Sequence, residues 1–166
     1  GPAFEILLAH PPLDQVAKWT GTAMTLAYEA ELHLINSPHF DWAEKLGLET
    51  SRVDARKAAA EGTLTDLVCA AACIPPIFRL PDWEGRPVVD GGMADQAPMP
   101  HPDTGTTLVL LTRRYRNLPE VDGRRYVWPS EEVPADKIDF TDPDKLTQTW
   151  DIGLADGKGH LKQQNS

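Results

Sequence analysis

Asp90-Gly91-Gly92 follows the apolar pair Val88-Val89 directly, so a short strand ends on a carboxylate and two glycines. Residues without a Cβ let the backbone turn tightly and leave space beside the acid for another segment or a substrate. A carboxylate so placed can orient or deprotonate a nucleophilic hydroxyl within hydrogen-bond reach, which is general-base chemistry. The same tripeptide also reads as a simple Asp-Gly turn. Hydroxyl partners are few: the serines are Ser37, Ser51, Ser130 and Ser166, and none stands in the Gly-x-Ser-x-Gly arrangement that exposes a nucleophile on a strand-to-helix turn.

Other chemistry-bearing residues give weaker patterns. His10, His33, His39, His101 and His160 are scattered and read as surface or structural side chains, with His101 nearest in sequence to Asp90. Cys69 and Cys73 lie four apart on a helical pattern, a spacing unsuited to a disulfide framework. With no second Cys/His pair at ligand spacing they are expected to be buried thiols; neither a metal nor a cofactor is predicted. Asp139, Asp142 and Asp144 lack the downstream Gly and Glu of a calcium loop and read as helix caps. Gly91-Gly92 lacks the Lys-Ser/Thr of a phosphate-cradling loop. Arg113, Arg114, Arg116, Arg124 and Arg125 cluster in one loop region, as a solvated loop or as a site for phosphate-bearing headgroups.

The elements that must position these groups follow from apolar spacing and turn residues. Phe4, Ile6, Leu7 and Leu8 predict a strand over 4–9, stopped by Pro11-Pro12. From Leu13 the apolar positions recur at helical spacing to Ile35, as one helix or as two divided at Gly21. Asp41 is placed to cap a short helix through Trp42 and Leu46, closed by Gly47. Residues 51–62 read as a helix running into Gly62, and Thr63 as the cap of the next, which carries Leu67 and Ala70–Ala72 and ends before Pro75. Ile77, Phe78 and Leu80 are expected to pair with Val88 and Val89 across a loop holding Pro81, Asp82 and Gly85. Leu108 to Leu111 reads as a fully buried strand, and Tyr126 to Trp128 as one more. Asp142-Pro143-Asp144 opens a final helix with Leu146, Trp150 and Leu154 on one face, and the polar tail from Gly157 to Ser166 is expected to fray.

The run from Ala70 through Pro75-Pro76-Ile77-Phe78, a hairpin, then Arg86-Pro87-Val88-Val89-Asp90-Gly91-Gly92-Met93-Ala94-Asp95-Gln96-Ala97-Pro98 resembles the second half of the patatin-like phospholipase domain. In that family a small-residue helix ends in an Ile-Pro turn and the catalytic aspartate sits in an Asp-Gly-Gly or Asp-Gly-Ala motif, which Asp90 matches. Gln96 stands where the family often has Asn, and Cys73 where it has a smaller residue. Ile138-Asp139-Phe140 and Trp150-Asp151-Ile152-Gly153 look like its closing strand and helix. The resemblance is strongest over 68–98 and implies an α/β fold, a partial patatin-like three-layer domain with a central sheet flanked by helices, over residues 3–156. It implies a lipid acyl hydrolase with a Ser-Asp dyad, in which this chain supplies the aspartate. The serine elbow and glycine-rich oxyanion loop of that family normally precede the part represented here, so the chain alone is expected to be inactive. Leu67, Ile74, Ile77, Phe78 and Met93 are candidates for an apolar wall by the site. The alternative is a non-catalytic patatin-like module that binds lipid or a partner protein; a hydrolase switched on by a ligand or host factor is a further rival.

Composition bounds these readings. The chain has 166 residues, 41% of them hydrophobic, enough for one core, and Gly1-Pro2 is set aside as the dipeptide a protease leaves on removing a tag. Lys and Arg number 16 against 25 Asp and Glu, a net charge of −9, which is the wrong sign for neutralising phosphates along nucleic acid. No apolar stretch approaches the length of a spanning helix, no signal-peptide pattern opens the chain, and two cysteines suit a reducing cytoplasm. The partners implied are a phospholipid or other acyl-ester substrate, transient contact with a membrane surface, and an N-terminal portion or a second copy, since a partial sheet leaves an edge that favours association.

Overall fold

Leu7, Leu8 and Ala9 continue one apolar run, and the strand they build, β1 (Glu5–His10), is hydrogen-bonded along both edges, as befits a strand shielded from water. The structure is a computed structural model that describes residues 3–12, 37–39, 42–45, 47–75, 78–135 and 141–164. The helical pattern from Leu13, the Asp41 cap, Leu46, Ile77 and the Ile138–Phe140 stretch lie outside the described residues. The chain divides into two compact units, Gly1–Pro98 and Met99–Ser166, where length and composition had suggested one core.

In the first unit, α1 (Trp42–Lys45) ends at Gly47, whose φ of 79° lies in the left-handed region glycine tolerates. β2 (Glu49–Asp54) then runs antiparallel to β1, with Leu8 opposite Ser51 and His10 opposite Glu49. This corrects the helix predicted over 51–62. Half-buried Ser51 and Val53 alternate with exposed Arg52 and Asp54, the period of a strand, and the helix begins only where Asp54 caps it. The Asp54 carboxylate accepts from Arg56 N–H at 2.8 Å and Lys57 N–H at 3.2 Å, satisfying two donors that the first turn leaves free. Helix α2 (Ala55–Glu61) closes on left-handed Gly62. Helix α3 (Leu64–Ala71) follows; Thr63 holds its cap position without a capping bond, its hydroxyl donating instead to Ala58 O at 3.3 Å.

The hairpin is tighter than the apolar pattern predicts. β3 (Asp82–Trp83) pairs with β4 (Arg86–Pro87) across Glu84 and Gly85, with φ of 53° and 80°, the two positive values that suit a two-residue hairpin turn. Asp82 Oδ1 accepts from Gly85 N–H at 2.7 Å. Val88 N–H reaches only Pro81 O, and Val89 pairs with Ala9 of β1, so the expected partnership with Phe78 and Leu80 is not made. The free edge of β1 outcompetes a longer hairpin because it supplies both ladder bonds and a buried neighbour. β5 (Val89–Asp90) thus completes a three-stranded antiparallel sheet ordered β2-β1-β5. Leu8, Ala58, Leu67, Ala70 and Val88 form the core between this sheet and α2 and α3, with Ile6, Val53, Leu64, Ala71 and Trp83 around it. Each large member contributes about 1.5–3 kcal/mol by leaving water.

In the second unit, β6 (Thr107–Leu110) runs parallel to β7 (Arg124–Val127). The expected fully buried strand is covered on one side only: Val109 is buried while Leu108 and Leu110 are 46% and 70% exposed. Helix α4 (Pro143–Gln164) starts at Asp142, which caps Asp144 N–H and Lys145 N–H at 3.1 and 3.2 Å. It runs through Gln164, past Gly157 where fraying was expected, and its Leu146, Trp150 and Leu154 face solvent rather than a core. Helices and short sheets therefore mix in an α/β arrangement.

One residue bears the closest packing. Gly91 opens a single 3-10 turn, Gly91–Met93, and a Cβ on it would overlap the Leu7 carbonyl oxygen and carbon of β1. Gly91→Ala is expected to destabilise the chain by about 3 kcal/mol, since backbone must move to admit the methyl. Gly105→Ala, where a Cβ meets nothing within 4 Å, should change stability by less than about 0.5 kcal/mol; urea unfolding of the two variants checks the contrast.

Candidate active site

Asp90 stands at the end of β5, where three features hold it. Its N–H donates to Cys73 O at 2.8 Å, tying the strand to the end of α3. Its Oδ1 accepts from Gly92 N–H at 2.7 Å. Gly91 tucks against Leu7 and turns the chain beneath the carboxylate. The predicted trio therefore acts as one turn: Asp90 presents the acid, Gly91 permits the close approach, and Gly92 orients one oxygen. Burial pushes the Asp90 carboxyl above its ordinary value, and the Gly92 N–H pulls it partly back. A half-buried carboxylate with raised proton affinity is a better base than a solvated one. Cys73 feels the same environment: burial, and then the Asp90 charge, push its thiol up, and its Sγ–H donates to Arg79 O at 3.4 Å.

The loop after the tripeptide is anchored by a pair that the sequence does not reveal. His39 Nδ1 lies 3.0 Å from Asp95 Oδ1, which also accepts from Ala97 N–H at 2.9 Å. Gln96 N–H donates to Pro38 O at 2.9 Å. Fifty-six residues separate His39 from Asp95, so no spacing rule could have joined them.

A second such pair is His10 and Ser51, whose Nε2 and Oγ are 2.7 Å apart on neighbouring strands. His10 is 3% exposed. Burial, with the Arg86 guanidinium, holds its imidazole below its ordinary value of 6.5, against the opposite pull of the Pro87 carbonyl and the Glu49 carboxylate. Arg86 bonds Glu49 at 2.6 Å. Ser51 does not serve Asp90. Both face Leu8 across the ladder, from opposite sides, and two strand spacings put them about 10 Å apart. Among the described residues, no hydroxyl is hydrogen-bonded to Asp90.

The proposed apolar wall divides. Leu67 and Met93 are core residues at 0% and 2% exposure, Ile74 is half-buried, and Phe78 is 59% exposed. Phe78 lines an open cleft of about 710 Å3 with Cys69, Cys73, Arg79, Pro81 and Trp83, and the buried Trp83 Nε1 has no acceptor among the described residues. Cys69 is exposed, which corrects the expectation of two buried thiols; Cys73 alone is buried. Helix α3 turns Leu67 and Ala70 inward, and Cys69 falls on its outer face.

The arginine cluster lies in the second unit, as does His101. Within it Arg124 donates from Nη2 and Nε to Asp103 Oδ2 at 2.7 and 3.0 Å, and Arg114 donates to Ser130 O at 2.7 Å. The Arg124 contact holds the Asp103 carboxyl below its usual range. Among the described residues no three His, Cys, Asp or Glu side chains gather as a metal group, and no helix is long and apolar enough to cross a membrane.

The two buried groups titrate with opposite signs. The folded chain binds the His10 proton more weakly than the unfolded chain does, so that stability is complete above about pH 6.5 and falls as the pH drops through that value. Asp90 binds its proton more tightly when folded, so its ionisation costs stability above the ordinary value of 3.8. Urea midpoints across pH 4–8 should therefore show Asp90→Asn more stable than wild type near pH 7, the gain fading toward pH 4. His10→Gln should flatten the acid-side loss below about pH 6.5.

No family model, curated protein or solved structure matches this chain, and the chemistry of the site rests on its own geometry.

Proposed function

We propose that this chain is the aspartate-bearing part of a lipid acyl hydrolase with a Ser-Asp dyad, and that Asp90 is the base of the dyad. The observation that carries the reading is Asp90 itself: a half-buried carboxylate at a strand end, one oxygen held by Gly92 N–H, its proton affinity raised by burial. The Asp-Gly-Gly turn and the small-residue helix ahead of it support the patatin-like form of this reading, with a central sheet flanked by helices in three layers. The serine and the oxyanion donors come from a part of the protein outside these 166 residues.

In the assembled site the serine hydroxyl attacks the ester carbonyl while Asp90 takes its proton. The collapsing tetrahedral intermediate expels the alcohol, which receives that proton back from Asp90. Water, deprotonated by the same carboxylate, then frees the acyl chain from the serine. The substrates are phospholipids, lysophospholipids or neutral acyl esters, met at a membrane surface, and the reaction needs no metal. A reducing cytoplasm, where Cys69 and Cys73 persist as thiols, belongs to the same reading.

Intact-mass analysis after exposure to a fluorophosphonate, alongside turnover of a soluble acyl ester, tests this. The 166-residue chain should take no adduct and show no turnover. The longer product that carries the serine should take one adduct, and Asp90→Asn in it should lower turnover on the order of 10²–10⁴-fold. An adduct on this chain would put an activated serine here and overturn the assignment of the nucleophile. Undiminished turnover in Asp90→Asn would overturn the role of Asp90.

A further inference from the structure

The Gly91–Gly92 peptide group is gripped at both ends. Its N–H, that of Gly92, donates to Asp90 Oδ1 at 2.7 Å, and its C=O, that of Gly91, accepts from Ala94 N–H and Asp95 N–H, both at 3.0 Å. A trans peptide is planar and carries the two groups on opposite sides, so whatever holds the carbonyl also aims the N–H. The backbone of residues 94 and 95 therefore sets the direction in which one oxygen of Asp90 is held.

Asp95 is fixed in turn from far upstream. His39 Nδ1 lies 3.0 Å from Asp95 Oδ1, and the two residues form an isolated antiparallel bridge. A carboxylate only accepts, so the ring nitrogen carries the hydrogen, in the neutral and the cationic imidazole alike. The same Oδ1 accepts from Ala97 N–H at 2.9 Å, and Gln96 N–H donates to Pro38 O at 2.9 Å. The side chains of His39 and Asp95 are 21% and 30% exposed, so salt and water screen their contact less than that of a solvated pair. The apolar core of the unit is built without either residue; what they restrain is the run that follows Asp90.

We infer that His39 is a positioning residue for Asp90: through Asp95 it locks the Gly91–Gly92 peptide, which keeps one carboxylate oxygen on Gly92 N–H and leaves the other for the hydroxyl that Asp90 deprotonates. The inference rests on the reading of Asp90 as the base of the dyad. Losing the lock has a signed consequence. Burial raises the Asp90 carboxyl and the Gly92 N–H lowers it; a peptide free to rotate gives up the second effect and keeps the first, so the carboxyl rises further. The titratable side chain facing Asp90 is Cys73, whose thiol is itself pushed up and stays neutral through that range.

Carboxyl-carbon NMR of the 166-residue chain, titrated from about pH 2 to 8, tests the lock. His39→Phe keeps a flat ring and removes the donor; Asp90 should then titrate at least about half a pH unit higher than in wild type, and the Gly92 amide proton should move upfield as its hydrogen bond lengthens. His39→Asn puts an amide N–H where the Nδ1–H stands and should restore both readings. His39→Ala, which removes the ring as well, should shift Asp90 in the same direction and serves where phenylalanine does not fit. In the longer product that carries the serine, the pH at which kcat rises should move up equally in His39→Phe while KM holds, a pattern that simple loss of folded protein does not give. An Asp90 titration and a Gly92 amide unmoved by His39→Phe and His39→Ala overturn the inference, as does an equal shift in His39→Asn. Turnover indifferent to Asp90→Asn would overturn the reading beneath it, a separate failure, because the carbon titration reads the turn without any turnover.

Discussion

The approach of Gly91 to the Leu7 carbonyl, too near for any Cβ between them, sets the geometry on which the first unit depends. Because the chain can turn there, β5 can lie along β1 for its two residues and still leave the sheet at once into the 3-10 turn. Asp90 is thereby held at the sheet's end rather than carried onward along a longer strand. The bond from Asp90 N–H to Cys73 O then ties that point to α3, so that the helix, the sheet and the acid share one junction. A side chain at position 91 would push the turn off β1 and loosen all three together, since cores transmit displacement rather than absorb it.

Electrostatics at this junction are governed by burial more than by pairing. Asp90 pairs with β1 and His10 ends it, and both are shifted toward their neutral forms, the acid upward and the imidazole downward. Each has a hydrogen-bond partner: Gly92 N–H for the carboxylate, Ser51 Oγ for the imidazole. Neutral His10 is compatible with a structural place in the sheet. Among the described residues no cation pairs with the half-buried Asp90 carboxylate, so ionising it there costs stability. That cost to local stability is the physical ground on which the proposed role of Asp90 rests.

The second unit is held in a different way. Its helix is attached by hydrogen bonds from Ser130 and Ala135 to Asp156 and Thr149, and the Asp103–Arg124 contact joins the loop ahead of β6 to the start of β7. Its apolar side chains are largely turned out: Leu108, Leu110, Trp150 and Leu161 are exposed. An amphipathic helix ordinarily buries its apolar stripe. Here the polar groups make the internal contacts, and the apolar side chains of the helix stay exposed.

Local signals in the sequence determined the strand at residues 5–10, the helix from Leu64, its stop before Pro75, the Asp142 cap and the turn chemistry of Asp90-Gly91-Gly92, because each depends on neighbours a few residues away. Periodicity misled where two elements abut. The Ala-rich stretch after Ser51 hid a strand, since the deciding partner of Ser51 is Leu8, far upstream. Apolar residues at 146, 150 and 154 implied a buried face, but which face of a helix is covered depends on what reaches it, and Ser130 and Ala135 reach the other side. Only the tertiary structure could decide that Val89 joins β1 rather than the hairpin, that His39 meets Asp95, that His10 meets Ser51, and that Asp90 is buried enough to hold its proton more tightly. Sequence carries residue types and short-range geometry; desolvation and long-range pairing exist only once the chain has folded.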